Sequence, residues 1–235
     1  MGVINGASIL AYNLQENGML GVYPLNDTDQ TAETYQQYLK TQLQLKAYPC
    51  VYCDASIGNC DHLSDRLENL YANQDAFLQD SIQRANTYGW DGYSVDFEPD
   101  GPVNATRLTD FLLAWGSLLY VNNFTLYVWI GGDTQYEMER LFNSTGISFL
   151  TMDTYNAGFD SFVNIVAPLQ ISINSVSNLG AGLLTNYGKT STDVNATDIM
   201  NIVNWSILTR MNALSLWASH ISPSWYEALS YFVKA

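Results

Sequence analysis

Trp90-Asp91-Gly92-Tyr93-Ser94-Val95-Asp96-Phe97-Glu98-Pro99 reads as a buried strand carrying acids where apolar residues belong. Side chains alternate across a strand, so Ser94, Asp96 and Glu98 share one face and Tyr93, Val95 and Phe97 the other. Desolvating an ionised carboxylate costs several kcal/mol, so two on one buried face call for a reason. Crowding them raises the pKa of one and makes a proton donor at neutral or mildly acidic pH. An edge strand with a wet acidic face is the alternative, and the turn residues on either side suit both.

Outward from this strand, short apolar runs alternate with longer helical patterns. Strands are expected at Ala7–Tyr12, Gly18–Tyr23, Ala47–Asp54, Thr125–Ile130, Ile147–Met152 and Ala213–Ala218, with one more at Ile171–Val176 or Gly182–Leu184. Helical spacing marks Thr31–Leu45, Leu63–Tyr88 in two pieces, a helix capped by Asn104 through Tyr120, Gln135–Phe142, one starting at Asp193 or Thr197 and running through Leu208, and Ser224–Val233. This alternation predicts a parallel sheet with helical crossovers, and the number of units suits one compact (β/α)8 barrel over residues 1–235. The segment Met1–Leu25 is short for two full units, so the first is expected to be incomplete. A doubly wound sheet is the alternative, but neither Gly131-Gly132 nor Gly180-Ala181-Gly182 has the phosphate-loop pattern. Asp54, Asp96, Glu98, Asp133, Asp153 and Trp217 all fall at expected strand ends, where barrel enzymes keep their active groups.

Bulk properties narrow the partners. The net charge of −14 repels phosphate backbones, so no nucleic-acid partner is expected. No apolar run is long enough to span a bilayer, and the chain is expected to be a monomer that does not associate with membranes. Asn-x-Ser/Thr sequons at Asn26, Asn104, Asn123, Asn143, Asn195 and Asn204 point to a secreted or lysosomal protein. The start Met1-Gly2-Val3-Ile4-Asn5-Gly6 lacks the features of a signal peptide. Cys50 and Cys53 point to opposite faces of a strand and do not read as a metal pair. A Cys53–Cys60 disulfide and buried thiols both remain open readings.

The stretch Asp91–Glu98 resembles the fourth-strand signature of family-18 glycoside hydrolases, Asp-Gly-x-Asp-x-Asp-x-Glu. Further similarities follow in order. Tyr52-Cys53-Asp54-Ala55-Ser56-Ile57-Gly58 is similar to the third-strand Ser-x-Gly-Gly region, with an Asp-x-Ser closer to the chitobiases. Phe149–Asn156 is similar to the sixth-strand motif ending Met-x-Tyr-Asp, and Leu214-Ser215-Leu216-Trp217 to the last strand, whose Trp floors the sugar subsite. The resemblance implies a (β/α)8 barrel that hydrolyses β-1,4-linked N-acetylglucosamine in chitin oligosaccharides or the N-glycan core, without metal or organic cofactor. It implies Glu98 as the acid, attack by the substrate's own acetamido carbonyl, Asp96 on the acetamido N–H, Tyr155 on its oxygen and Trp217 under the ring. Asp91, Ser94, Asp54, Asp153 and Asn156 join the implied substrate-binding set.

The departures are specific. Ser94 replaces the middle acid of the signature, and Asn156 replaces the Asp after Tyr155. Asp153 adds a carboxylate that compensates for Ser94 in this reading. About sixty residues separate Tyr155 from Trp217, too few for the α+β insertion domain of many chitinases, so a shallow, open cleft is expected. A noncatalytic chitinase-like lectin is the alternative function, favoured by Ser94 and Asn156 and opposed by retention of Asp96 and Glu98.

Overall fold

A computed structural model describes residues 6–22, 34, 38–54, 60–99, 101–131, 136–155, 158–172, 178–184, 194–217 and 223–232. The chain is an α/β protein with a largely parallel sheet and helical connections. It divides into two compact units. One comprises Asn5–Val128 with Thr134–Ile147, and the other Trp129–Asp133 with Ser148–Ala235 and the first four residues.

In the larger unit the strands are β1 (Gly6–Leu14), β2 (Leu20–Val22), β3 (Lys46–Asp54), β4 (Gly92–Glu98) and most of β5 (Thr125–Ile130). The first strand is nine residues long, and β2 pairs with it antiparallel, Tyr12 opposite Val22 and Leu14 opposite Leu20. The second expected strand is therefore the return arm of a hairpin and not a parallel neighbour. The turn between them leaves too few residues for a crossover helix. From β1 the sheet continues in parallel through β3 and β4 to β5. The helical reading of Thr31–Leu45 falls mostly outside the described residues, and its described end is one π-helical turn, Tyr38–Gln42.

Leu63–Tyr88 forms two helices as its pattern predicts, α1 (Leu63–Ala72) and α2 (Gln74–Tyr88). The next, α3 (Ala105–Val121), starts at Asn104, whose side chain accepts from the Arg107 N–H, a cap worth about 1 kcal/mol. Its buried stripe of Leu108, Phe111, Leu112, Trp115 and Leu119 turns the sequence periodicity into packing. The Phe77 ring meets Phe111 and Trp115 edge-on at 5.2 and 5.1 Å, and Tyr93 lies 5.4 Å from Trp115. Polar tips inside this cluster are satisfied: the Tyr93 hydroxyl donates to the Ser81 carbonyl and the Trp115 indole N–H to the Ser81 hydroxyl. This aromatic cluster takes one face of β4, leaving Ser94, Asp96 and Glu98 on the other.

The start of β4 is fixed by main-chain and side-chain bonds. Asp91 accepts from the Ala47 N–H at 2.9 Å and pairs with Lys40 at 2.7 Å, while its own N–H donates to the Ala47 carbonyl. Gly92 follows at φ +151°, and a Cβ there would lie 1.9 Å from the Thr125 carbonyl oxygen.

The second unit contains the end of β5, β6 (Ile147–Thr151) from Ser148 onward, β7 (Leu179–Leu184) and β8 (Ala213–Trp217), with β6, β7 and β8 parallel. A short helix in the larger unit, α4 (Met138–Phe142), precedes it. Its own helices are α5 (Phe159–Ser172), α6 (Ala196–Leu208) and α7 (Pro223–Phe232). The α5 helix carries Pro168 in its interior and absorbs Ile171, so Gly182–Leu184, not Ile171–Val176, belongs to the next strand. Asn195 caps α6 by accepting from the Asp198 N–H. The helix begins at Ala196, one residue before the expected start at Thr197, and Asp193 lies outside the described residues.

Gly92→Ala should lower the free energy of unfolding by about 3 kcal/mol or more, because both the backbone angle and the Thr125 carbonyl oppose a side chain. Urea denaturation of the variant beside the parent measures this. An unchanged midpoint would mean that β4 and β5 are not held this closely.

Candidate active site

The parallel register of β3 on β4 places Cys50 opposite Ser94, Tyr52 opposite Asp96 and Asp54 opposite Glu98. Paired residues on neighbouring strands face the same side, so the alternation that aligns Ser94, Asp96 and Glu98 aligns Cys50, Tyr52 and Asp54 beside them. The result is a ladder with a neutral lower rung and acidic upper rungs. Asp96 is 3% exposed and Asp54 5%, while Glu98 is exposed at the strand end.

On the lower rung, the Ser8 and Ser94 hydroxyls are hydrogen-bonded at 2.7 Å. The Cys50 thiol is buried and free, and burial followed by the nearby Asp96 pushes its pKa up to about 12, which makes it inert as a nucleophile. Ser94 is 1% exposed. Its implied role in contacting substrate gives way to a structural one, because its hydroxyl is already engaged with β1.

On the upper rungs, burial first, then Glu98 and Asp54, push the Asp96 carboxyl up to about 7. Partial desolvation and then Asp54 raise Glu98 as well. The Tyr52 hydroxyl donates to Asp54 at 3.0 Å, and burial and Asp54 hold it protonated. Asp96 Oδ1 is buried without a hydrogen-bond partner among the described residues. Buried polar atoms are nearly always satisfied, so this oxygen marks a place where a ligand group fits.

Sequence reasoning missed Tyr136, which precedes α4. It is 8% exposed, and its buried hydroxyl has no partner among the described residues. Burial, with Asp96, Tyr71 and Glu98 nearby, raises its pKa, which places it in the field of the acidic pair. No local pattern marks it, since it stands alone after a strand end.

Asp91 stands before the first residue of β4, at the end opposite Glu98, with Lys40 and the Ala47 N–H. It anchors the strand and is not brought to the acidic rungs, which corrects its implied substrate contact. In the second unit, Asp153 is exposed just after β6. The Tyr155 ring lies 6.1 Å from Trp129, and both approach Gly182, where a Cβ would fall 2.6 Å from Tyr155 Cε1 and 2.7 Å from Trp129 Cζ3. Trp129 is 5% exposed, a core residue. Trp217 ends β8 opposite Leu184, with its side chain outside the description. Asn156 and Asp133 lie outside the described residues. Cys53 and Cys60 form a disulfide. Among the described residues no group of His, Cys, Asp and Glu is arranged to hold a metal ion, and no helix is long and apolar enough to cross a membrane.

No family model matches the sequence, and no curated protein matches it. Solved structures do share its fold. A chitinase from Chromobacterium violaceum superposes with a TM-score of 0.79 at 14% identity, covering 98% of this chain and 92% of that one. A mutant of Ostrinia furnacalis Group II chitinase catalytic domain 2, in complex with penta-N-acetylchitooctaose, gives 0.72 at 9% identity, with 99% and 89% covered. The chitinase-like agglutinin of Robinia pseudoacacia gives 0.72 at 13% identity, with 98% and 93% covered. The chain has a chitinase-like fold.

The raised Asp96 carboxyl has a consequence for stability. The folded state holds this proton more tightly than the unfolded chain, so its stabilising contribution is complete below the ordinary carboxylate pKa. It is lost as the pH rises toward about 7. The parent should therefore lose several kcal/mol from this group between pH 4 and pH 8, and Asp96→Asn should lose none. Urea midpoints across that range should diverge in favour of the variant as pH rises. Parallel curves would mean that the carboxyl titrates normally.

Proposed function

We propose that this chain is a glycoside hydrolase acting on β-1,4-linked N-acetylglucosamine, on a single (β/α)8 barrel. The observation that carries the reading is the Asp96–Glu98 pair at the C-terminal end of β4, with Asp96 pushed up to about 7, in a chain with the fold of chitinases. Glu98 is raised as well, and a carboxyl that keeps its proton above the usual range at a strand end is what protonating a glycosidic oxygen requires.

In this reading Glu98, the exposed member of the pair, gives its proton to the glycosidic oxygen as the C1–O bond breaks. The acetamido carbonyl oxygen of the same sugar attacks C1 and forms a cyclic oxazolinium ion. Asp96 accepts from the acetamido N–H and balances the positive charge. Water then attacks C1 and gives a proton to Glu98 as the C1–O bond of the oxazolinium ring breaks and the acetamido group is restored, so configuration is retained. Two carboxylates at i and i+2 on one strand are near neighbours. They suit this substrate-assisted route better than an acid and a nucleophile that flank the sugar. Tyr155 steadies the acetamido oxygen, Trp217 stacks under the pyranose ring, and Asp153 and Asn156 complete the polar surround.

An N-acetylglucosamine oligosaccharide as partner is supported by the chito-oligosaccharide bound to the Ostrinia chitinase domain. Most of the stretch from Tyr155 to Trp217 is taken up by α5, β7, α6 and β8, which supports a compact domain acting on short oligomers or the N-glycan core. The Cys53–Cys60 disulfide supports secretion or delivery to lysosomes, where such bonds persist.

A noncatalytic carbohydrate-binding protein is the second reading, favoured by the neutral Ser94 and by the agglutinin that shares the fold. Release of a fluorescent aglycone from a di-N-acetylchitobioside between pH 4 and 7 separates the two. The hydrolase reading expects activity in the parent and a loss of about a hundredfold or more in Glu98→Gln. An inactive parent that binds chito-oligosaccharide would establish the binding protein instead.

A further inference from the structure

We infer that Asp54 is a positioning residue for the acid Glu98: a carboxylate set beside it by the β3–β4 register, fixed by the Tyr52 hydroxyl, and acting on the acid without touching substrate. The inference rests on the hydrolase reading and adds to it a group from a different strand, in place of the substrate contact first expected of Asp54.

Geometry supplies the first argument. Asp54 is paired directly with Glu98, and neighbouring strands lie about 4.8 Å apart, so both side chains leave the same face within reach of each other's charge. Asp54 is also held. It is 5% exposed and accepts from Tyr52 at 3.0 Å, so its charge sits at a fixed place in a poorly solvated setting, where it acts more strongly than a surface acid would.

The second argument comes from the other neighbours of Glu98. Burial, then Glu98 and Asp54, push Asp96 up to about 7, while what raises Glu98 is burial and then Asp54. Among the described residues the lower rung holds the Ser8–Ser94 pair, the protonated Cys50 thiol and, opposite Ser94 on β5, Tyr127, whose pKa burial raises. From β3 the Tyr52 hydroxyl stays protonated, and so does Tyr136 before α4. After burial, Asp54 is the charge among the described residues that opposes ionisation of Glu98. A like charge held this close favours the protonated form, the form that donates to the leaving oxygen.

Two variants test this: Asp54→Asn removes the charge at constant shape, and Asp54→Glu keeps it. Two readouts apply to each. One is titration of the Glu98 carboxyl by ¹³C NMR without substrate, and the other is the pH profile of kcat/KM on a short N-acetylchito-oligosaccharide. In Asp54→Asn the Glu98 midpoint should fall by about one pH unit. The basic limb of kcat/KM should move equally toward acid, and activity on that limb should drop about tenfold with KM unchanged. Asp54→Glu should stay near the parent. A Glu98 midpoint that does not move in Asp54→Asn overturns the inference, as does a raised KM with an unshifted limb, which would make Asp54 a substrate ligand. If the parent does not hydrolyse the substrate, the functional reading fails on its own, and the carboxyl titration still decides whether Asp54 acts on Glu98. If Asp54→Glu does not fold, the titration of Asp54→Asn decides.

Discussion

Parallel pairing of β3 with β4, in the register that sets Tyr52 against Asp96 and Asp54 against Glu98, is the constraint on which the site depends. A slip of one residue would turn a strand's whole side-chain set to the other face. Tyr93 would then leave the aromatic cluster, and Asp96 and Glu98 would be turned toward its face. Three features hold the register: the bonds between Asp91 and Ala47, one main-chain and one to the Asp91 carboxylate, the close passage of Gly92 past Thr125, and the Ser81 carbonyl and hydroxyl that anchor Tyr93 and Trp115. The packing face of β4 is thus what keeps its acidic face in place.

The acidic face works against folding. Asp96 is buried with one oxygen unmatched among the described residues, and an unmatched polar atom of this kind costs roughly 1–3 kcal/mol. Apolar burial on the opposite face of the same strand offsets it, since Tyr93 and Val95 are fully buried. A strand built this way is stabilised by one set of alternate residues and strained by the other, a division expected at functional sites.

How much of this was legible depends on how local the cause is. The acidic strand, the two-piece helix before it and the Asn104-capped helix after it were legible because periodicity and capping act within a few residues. The α5 helix was not, because Pro168 argues against a helix and tertiary packing of Phe162 and Val166 overrides it. The hairpin of β1 and β2 was read as two parallel strands because direction is not encoded in alternation. The pairing of Asp54 with Glu98 joins residues 44 positions apart in the sequence. Both acids could be nominated from strand ends, but their adjacency arises only from register. Tyr136 had no sequence signal, because what distinguishes it is the burial of its hydroxyl.

Asp91 and Glu98 belong to one short motif yet stand at opposite ends of a strand, about 20 Å apart along the chain. The first half of the signature, Asp91 and Gly92, secures the strand to its neighbours and is needed by any protein that keeps this architecture. In the proposed reading the second half, Asp96 and Glu98, is needed only by one that keeps the chemistry. The two halves can therefore be inherited separately. A lineage that gave up turnover for sugar binding would retain Asp91-Gly92 while its later acids drifted, so the beginning of the motif records descent and its end records occupation.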